Sequence, residues 1–506
     1  MPVAPSRGSA LARGVLGSVL VPLAAGLASI VGISCRELRG FFATAGRVAG
    51  GFEAKQPRRR VRAGRGYRQR PAVRSEWHGA RRVPLHLCFV IVSAAELSLV
   101  SSRLGVCVEL FSGLGGLAIG LDRAGWSHEL LVERDPQAAA TLRGNDLTRD
   151  WPLHDTDLRE LDLGSEVERE VDLLAAGVPC QPFSQAGAHA GPDDERNMFP
   201  ETFAAIRQLK PKAVLIENVR GLARPAFKPF VEYIVDHLQL PGLKRKKGED
   251  WPDHHQRLRK ALKRRPKDPT ERYVVEWRPI CVADYGVPQR RVRVIMVAIR
   301  ADLAERWSWP APTHSHEVLL LDQLDGFYWA EHDLPPRSPI LAPFTRKRVR
   351  GVTHPTPVAR WRTLRDALGG LPEPVPQDET PALNWHTLWP GARLYRGHRG
   401  SDLDKPSKTI KAGVHGVAGG EHIVHLDSGD YRYLTVRECM RIQDLPDELE
   451  IDTTRTSAVR QIGNAVPPTI GEVFGRAIAQ TVCSQPGTEE VRISESNSQQ
   501  GLRVAA

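Results

Sequence analysis

The chain has little of what would staple, zinc-load or repeat a fold. Its 506 residues include seven Cys, at positions 35, 88, 107, 180, 281, 439 and 483. They form no C-x-x-C and no tight Cys/His cluster, which excludes a disulfide framework and zinc sites of the common spacings, and reduced thiols are expected. No internal repeat and no nuclease signature is present. Hydrophobic residues at 41% and charged residues at 25% exclude a disordered chain and suit a soluble globular one with a large core. The length gives room for about three domains.

The formal net charge of +11 is also unevenly held. Residues 1–105 contain 17 Lys and Arg against 4 Asp and Glu, whereas residues 106–506 contain 53 against 55. The basic balance therefore belongs to the N-terminal fifth and says little about what the body binds. Within that fifth, residues 14–34 carry no charge and are long enough to span a bilayer, but Pro22 and several glycines interrupt them. An Arg-rich run from Arg58 to Arg82 follows, with few large apolar residues. Three readings of this extension stand: a segment translated from an upstream start in GC-rich coding text, a disordered basic arm, and a membrane anchor, with the first two preferred.

Order is expected to begin at Val106. Val106–Leu110 reads as a buried strand, Phe111-Ser112-Gly113-Leu114-Gly115-Gly116 as a Gly-rich turn, and the residues to Ala124 as a helix closed by Gly125-Trp126. A second strand, Leu130–Val132, ends at Glu133, and a helix follows from Pro136. Strand, Gly-rich turn, helix, strand and acidic residue make one βαβ unit of a nucleotide-binding sheet. Glycine lets the backbone approach a ligand, and an acid ending the second strand can accept hydrogen bonds from ribose hydroxyls. Gly113-x-Gly115-x-x-Ala118 also satisfies the dinucleotide fingerprint, so spacing alone does not separate NAD from S-adenosylmethionine.

Three later segments carry chemistry. A strand over 172–176 delivers Pro179-Cys180-Gln181 on a loop rich in Pro and Gly, where open α/β sheets place their reactive groups. A lone Cys is ordinarily a small buried hydrophobe; the flanking residues argue for a shaped, exposed loop. The strand Ala213–Ile216 delivers Glu217-Asn218-Val219 at its carboxyl end. Gln289-Arg290-Arg291-Val292-Arg293 leads into a strand over 294–299, in which Arg291 and Arg293 share one face.

With these motifs the sequence resembles the cytosine-C5 DNA methyltransferase family. The resemblance rests on the Phe111–Gly116 loop, Pro179-Cys180-Gln181, Glu217-Asn218-Val219, Gln289–Arg293 and Gln461-Ile462-Gly463-Asn464-Ala465-Val466-Pro467-Pro468. Asp157, Arg196–Phe199, Pro312–Ser315 and Leu434–Glu438 add weaker matches, and the whole covers about residues 106–480 in the family's order. It implies an α/β fold, with a Rossmann-like class I methyltransferase sheet, helices on both faces and a smaller DNA-recognition domain. It also implies transfer of a methyl group from S-adenosyl-L-methionine to C5 of a cytosine flipped out of double-stranded DNA.

Cytosine C5 is a poor nucleophile, and adding a thiolate to C6 makes it enamine-like; Cys180 is the expected nucleophile. Glu217, protonated, relieves charge at N3, while Arg291 and Arg293 hold the base, a phosphate or Glu217. By the same resemblance, Phe111, Gly113, Gly115, Gly116 and Pro179 shape the cofactor site. Glu133 binds the ribose, Asp157 takes the adenine amino group (with Asp155 as its rival), and Asn464 contacts the methionine part. No metal is expected.

The domain reading follows. Residues 1–105 form the extension, 106–315 the catalytic and cofactor-binding domain, 316–430 the target-recognition domain, 431–482 the return to the catalytic domain, and 483–506 a disordered tail. Arg346–Arg350, Arg360-Trp361-Arg362 and the glycines over 413–420 suit contact with a duplex. The basic stretch from Lys244 to Arg265 reads as an insertion that adds duplex contacts or is solvated helix and loop. The expected partners are DNA and a cognate restriction endonuclease, for a monomer in a cytoplasm, associated with the nucleoid. A tRNA cytosine-C5 methyltransferase and a catalytically silent DNA-binding regulator are the alternatives. The long stretch before Leu434 and the retention of Cys180, Glu217 and both arginines argue against them.

Overall fold

The computed structural model describes residues 104–179, 197–337, 349, 358–394, 396, 399–412 and 422–483, all within the unit His86–Ala506. Cys180, nearly all of the extension, most of the Arg346–Arg350 run, the glycines over 413–420 and the tail after Cys483 lie outside the described residues.

Alternation of apolar residues sets the architecture. The strands β1 (Gly105–Leu110), β2 (Trp126–Val132), β3 (Leu153–His154), β4 (Leu173–Gly177), β5 (Ala213–Val219) and β6 (Tyr273–Cys281) precede the short β7 (Gln289–Arg290) and β8 (Val292–Arg300). All but β7 join one seven-stranded sheet in the order β3-β2-β1-β4-β5-β8-β6. Pairing is parallel from β3 through β5, and β8 runs antiparallel between β5 and β6. Successive side chains point to opposite faces, so each strand feeds two cores. Val108, Leu174, Ala176, Val214, Ile216 and Met296 enter one core, and Cys107, Leu173, Ala175, Leu215, Ile295 and Val297 the other.

Helices cover both faces. The first core is closed by α3 (Phe199–Leu209) and α4 (Lys228–Gln239), the second by α1 (Gly116–Arg123) and α7 (Pro468–Val482), while α2 (Pro136–Gly144) follows β2. The helix α1 meets α7 and the residues before it at backbone distance. A Cβ on Gly116 would lie 2.3 Å from the Val466 carbonyl oxygen, and one on Gly120 would lie 2.1 Å from that of Pro468. Thus, among the described residues, the last helix docks directly on the first, beside the Gly-rich turn.

Three expectations change. Trp126 opens β2 instead of closing the preceding helix, and β2 runs from Trp126, not from Leu130. Polar Ser127, His128 and Glu129 hide the strand in the sequence. His128 is nonetheless buried, against Cys107 Sγ at 3.3 Å and the Ala118 carbonyl at 3.1 Å. β5 continues through Glu217 to Val219 because β8 pairs with it to Val219 opposite Arg293. A third core joins Leu364, Ala367, Ile410 and Val424 to residues from Leu434 to Ala465 and to Leu114 and Ile119 of the cofactor half, so packing runs across the boundary expected at 430.

The basic stretch after Leu243 contains a helix, α5 (Trp251–Leu262), whose His254, His255 and Leu258 are buried. His254 accepts or donates at Tyr233 of α4 (3.1 Å), and its ring meets that of His237 edge to face. His237 is 3% exposed, neither of its ring nitrogens has a hydrogen-bond partner, and burial pushes its pKa down from 6.5 to about 2.

Two outcomes follow for stability. Gly120→Ala forces α1 off α7 and should cost about 1–3 kcal/mol in urea unfolding. Since His237 is neutral in the fold and protonates readily when unfolded, the stability it contributes is complete above its unfolded pKa of 6.5 and is lost as pH falls below it. The loss should reach about 2 kcal/mol near pH 5, and His237→Leu should remove that part of the acid slope.

Candidate active site

The site forms where β1, β2, β4 and β5 end together, on either side of the reversal in strand order between β1 and β4. Such a crevice is where open α/β sheets bind ligands. Phe111 leaves β1 with φ of 60°, a left-handed conformation that costs a bulky residue energy and is kept where surrounding structure demands it. The turn then closes through Ser112 N–H to the Val132 carbonyl (3.1 Å) and Gly115 N–H to the Ser112 carbonyl (2.9 Å). Gly115, at φ 90°, is the N-cap of α1. A Cβ at Gly113 would meet nothing within 4 Å. At Gly116 a Cβ would in addition meet the Val466 carbonyl oxygen, so packing there also calls for glycine.

Glu133 ends β2 with both oxygens on backbone donors: Gly113 N–H at 2.7 Å and Asp135 N–H at 2.6 Å. Burial raises its pKa, and these hydrogen bonds oppose the rise. Glu109 lies in β1, 1% exposed, with Oε2 buried and unpartnered. Burial, reinforced by the charge of Glu133, raises its pKa well above the ordinary value. Asp157 is held by Arg159 (2.9 and 2.6 Å) and Arg134 (2.9 Å), which keep its carboxyl far below the usual range. Its rival Asp155 pairs with Arg143 at 2.7 Å.

The second half of the site lies on β4, β5 and β8. Glu217 is 8% exposed, in register with Gly177 of β4, and its Oε1 takes Arg293 Nε at 2.8 Å. Desolvation raises its pKa and outweighs the lowering by Arg293 and Arg291. Its neighbour Asn218 donates from Nδ2 to the Val178 carbonyl at 3.1 Å. This bond fixes the root of the Pro179-Cys180 loop beside Glu217; Pro179 is the last residue described before Cys180.

The expectation that Arg291 and Arg293 share one face of a strand changes for Arg291 alone, while Arg293 reaches Glu217, one of its expected partners. Arg291 falls between β7 and β8, is 1% exposed, and donates to the carbonyls of Ile410 (3.0 Å), Gly463 (2.8 Å) and Ala465 (3.2 Å). It thereby grips the backbone on both sides of Asn464, which is exposed at the end of α6 (Arg455–Asn464). Arg291 is a positioning residue; its charge reaches Glu217, its hydrogen bonds do not. Gln289 works alongside it, donating to Gln443 Oε1 (2.7 Å) and accepting from Ile410 N–H (2.9 Å).

The structure therefore brings Phe111, Gly113, Glu133 and Gly177 to one crevice, and Glu217 with Arg293 to its neighbour. Sequence reasoning missed the roles of Glu109, Asn218 and Gln443. An acid within an apolar strand and an Asn beside Glu217 were visible signals; Gln443 gave none, because its partner lies 154 residues away. Among the described residues no group of His, Cys, Asp or Glu could hold a metal, and no helix is long and apolar enough to cross a membrane. The donor set fits S-adenosylmethionine: a carboxylate with spare lone pairs ends β2, an aromatic ring ends β1, and the Gly113 position is open.

A sheet of this order, with one antiparallel strand between β5 and β6 and a ligand crevice at the β1–β4 reversal, defines the class I methyltransferase fold. The family model for C-5 cytosine-specific DNA methylases matches residues 106–244 and 270–480. Type II methyltransferase M.NgoMIV of Neisseria gonorrhoeae is 31% identical over 74% of this chain and 97% of its own length. M.PspPI of Psychrobacter sp. is 30% identical over 77% of this chain and 83% of its own, and M.NaeI of Lentzea aerocolonigenes 31% over 73% and 74%. The chain belongs to the C-5 cytosine-specific DNA methylase family, and its activity is that of a DNA cytosine-C5 methyltransferase.

Arg293→Met removes the hydrogen-bonded cation from Glu217 and should raise the Glu217 pKa further. Infrared difference spectroscopy against Glu217→Gln should then show the protonated carboxyl persisting to higher pH than in the wild type.

Proposed function

We propose that this chain methylates C5 of a cytosine flipped from double-stranded DNA, using Cys180 as nucleophile and Glu217 as the acid at the base. The observation that supports this reading best is the pairing of a buried Glu217, its pKa raised by desolvation, with Arg293, one residue from Asn218, which holds the Val178 carbonyl two residues before Cys180. Flipping costs a few kcal/mol and exposes an otherwise stacked ring. The Cys180 thiolate forms a bond to C6, and the electron pair displaced toward N3 is met by the proton held at Glu217. Arg293 fixes that carboxyl in place. Once C5 carries the methyl group, loss of its proton re-forms the C5–C6 double bond and expels the Cys180 sulfur.

S-Adenosylmethionine, when bound, supplies the methyl group on a sulfonium. Phe111, Gly113, Glu133, Pro179 and Asn464 would hold it, with Glu133 accepting from the ribose and Asp157 from the adenine amino group. Residues 316–430 supply target recognition in this reading. Similarity to Type II methyltransferases supports a role as the modification partner of a restriction endonuclease, by a monomer acting on nucleoid DNA in the cytoplasm.

Nucleoside mass spectrometry on DNA and on tRNA, each incubated with protein and S-adenosylmethionine, tests the reading. 5-Methylcytosine should appear in DNA alone. Cys180→Ala should abolish it, and Glu217→Gln should lower kcat by about 10²–10⁴-fold. Methylcytosine confined to tRNA, or unchanged turnover in Cys180→Ala, would refute it.

A further inference from the structure

The family model stops at residue 244 and resumes at 270. The intervening 245–269 hold ten Lys and Arg against four Asp and Glu, in a body where residues 106–506 balance 53 against 55. A charge run of this kind is often only a solvated face, but this one is built. Trp251 packs on Phe230 and Tyr233 of α4, and His255 pairs with Asp236 at 2.9 Å. Arg257 ties the loop before α5 in place, through Glu249 at 2.5 and 2.8 Å and the Lys244 carbonyl at 2.8 Å.

With Glu249 and Arg257 paired to each other and Asp250 and Asp268 capping backbone N–H groups, the segment presents more cations outward than acids. Lys260, Lys263, Arg264, Arg265 and Lys267 are exposed and have no ion-pair partner among the described residues; Arg259 alone meets acids, Glu232 and Asp236, at 3.5 Å. Lys263 shares the wall of a cavity of about 940 Å³ with Arg224 and Lys228, where Glu232 and Asp236, the acids that meet Arg259, also stand. Arg224 lies in the turn that leaves β5 after Glu217–Val219, Lys228 opens α4, and the exposed Arg220 precedes both. Among the described residues, positive side chains without an ion-pair partner therefore stand both after the catalytic end of β5 and at the C-terminal end of α5.

We propose that this insertion is a second DNA-contact element, which holds backbone phosphates of the duplex flanking the methylated site. The inference rests on the DNA methyltransferase reading and adds a surface that the family model does not contain. Lysine and arginine without protein partners bind phosphate chiefly by releasing counterions, so the contact is sequence-independent and salt-sensitive. The element anchors the enzyme beyond its recognition sequence and makes binding depend on duplex length.

The test uses the full chain and a Lys263→Gln/Arg264→Gln/Arg265→Gln variant, on two duplexes centred on the methylated sequence found by sequencing the product. One duplex is about 14 base pairs long and the other about 40, with Kd measured against salt. On the long duplex the variant's log Kd–log salt slope should fall by about 2–3, and its affinity near 0.1 M salt should drop tenfold or more. On the short duplex the two proteins should bind and turn over alike. The conservative Lys263→Arg/Arg264→Lys/Arg265→Lys variant should keep the wild-type slope. Equal slopes for wild type and variant on the long duplex would overturn the proposal and point to an acidic protein as the occupant. Equal losses on both lengths, or failure of the conservative variant to keep the slope, would overturn it as a general structural effect. Wild-type protein that methylates no DNA would instead refute the methyltransferase reading and take the proposal with it.

Discussion

The arrangement depends on one buried guanidinium. Arg291 donates to three carbonyls, two of them flanking Asn464 and one at Ile410, and so binds the C-terminal chain to the start of β8. Each hydrogen bond to a buried charged group contributes about 1.5–3 kcal/mol, and an unpaired buried carbonyl costs a similar amount. Arginine serves here because one planar fork can reach several acceptors at once, which a lysine ammonium does less well. That link, with Gln443 on the Ala465 carbonyl and Asp444 on Thr469, fixes the path of the chain after Ile462 back toward the Gly-rich turn. Gly116 and Gly120 then admit the returning backbone to contact with α1.

This closure couples the two halves of the site. The Gly-rich turn is braced from one side by Glu133 and from the other by Val466, so the cofactor crevice is shaped by residues more than 300 positions apart. The catalytic half is braced in the same manner: β8 brings Arg293 against Glu217, and Asn218 holds the strand-to-loop junction that leads to Cys180. Burial pushes the pKa of the Glu217 carboxyl up while Arg293 and Arg291 pull it down, and desolvation is the larger effect.

The electrostatics outside the crevice follow a different logic. Glu249 and Asp236 pair internally with Arg257 and His255 and fix the helix α5, while several of its cations face outward. Residues 358–430 show the reverse: Arg360 and Arg365 are bound by Asp366, Asp404 and Asp427, at 2.6–3.0 Å. Arg360, which the sequence suggested as a duplex contact, is thereby a structural residue, its guanidinium committed to carboxylates of its own chain.

Local chemistry determined much of this protein in advance. The strand after Val106, the Gly-rich turn, the acid at Glu133, Glu217 and the Gln-Arg-Arg run are each short segments whose residue types and spacing mark them in the sequence. They were legible because hydrophobic alternation, glycine and proline act over a few residues. What only the tertiary structure decided lies in contacts between distant segments. The seven-residue β2, with its polar middle, exists because Cys107 and Ala118 receive His128. Arg291 and Arg293, two apart in sequence, have unrelated partners because one meets the returning C-terminal chain and the other meets β5. Asn218 and Gln443 matter through a carbonyl and an amide supplied from elsewhere. A sequence states which groups are available, but a buried polar group takes the role of whichever partner the fold places within hydrogen-bond reach.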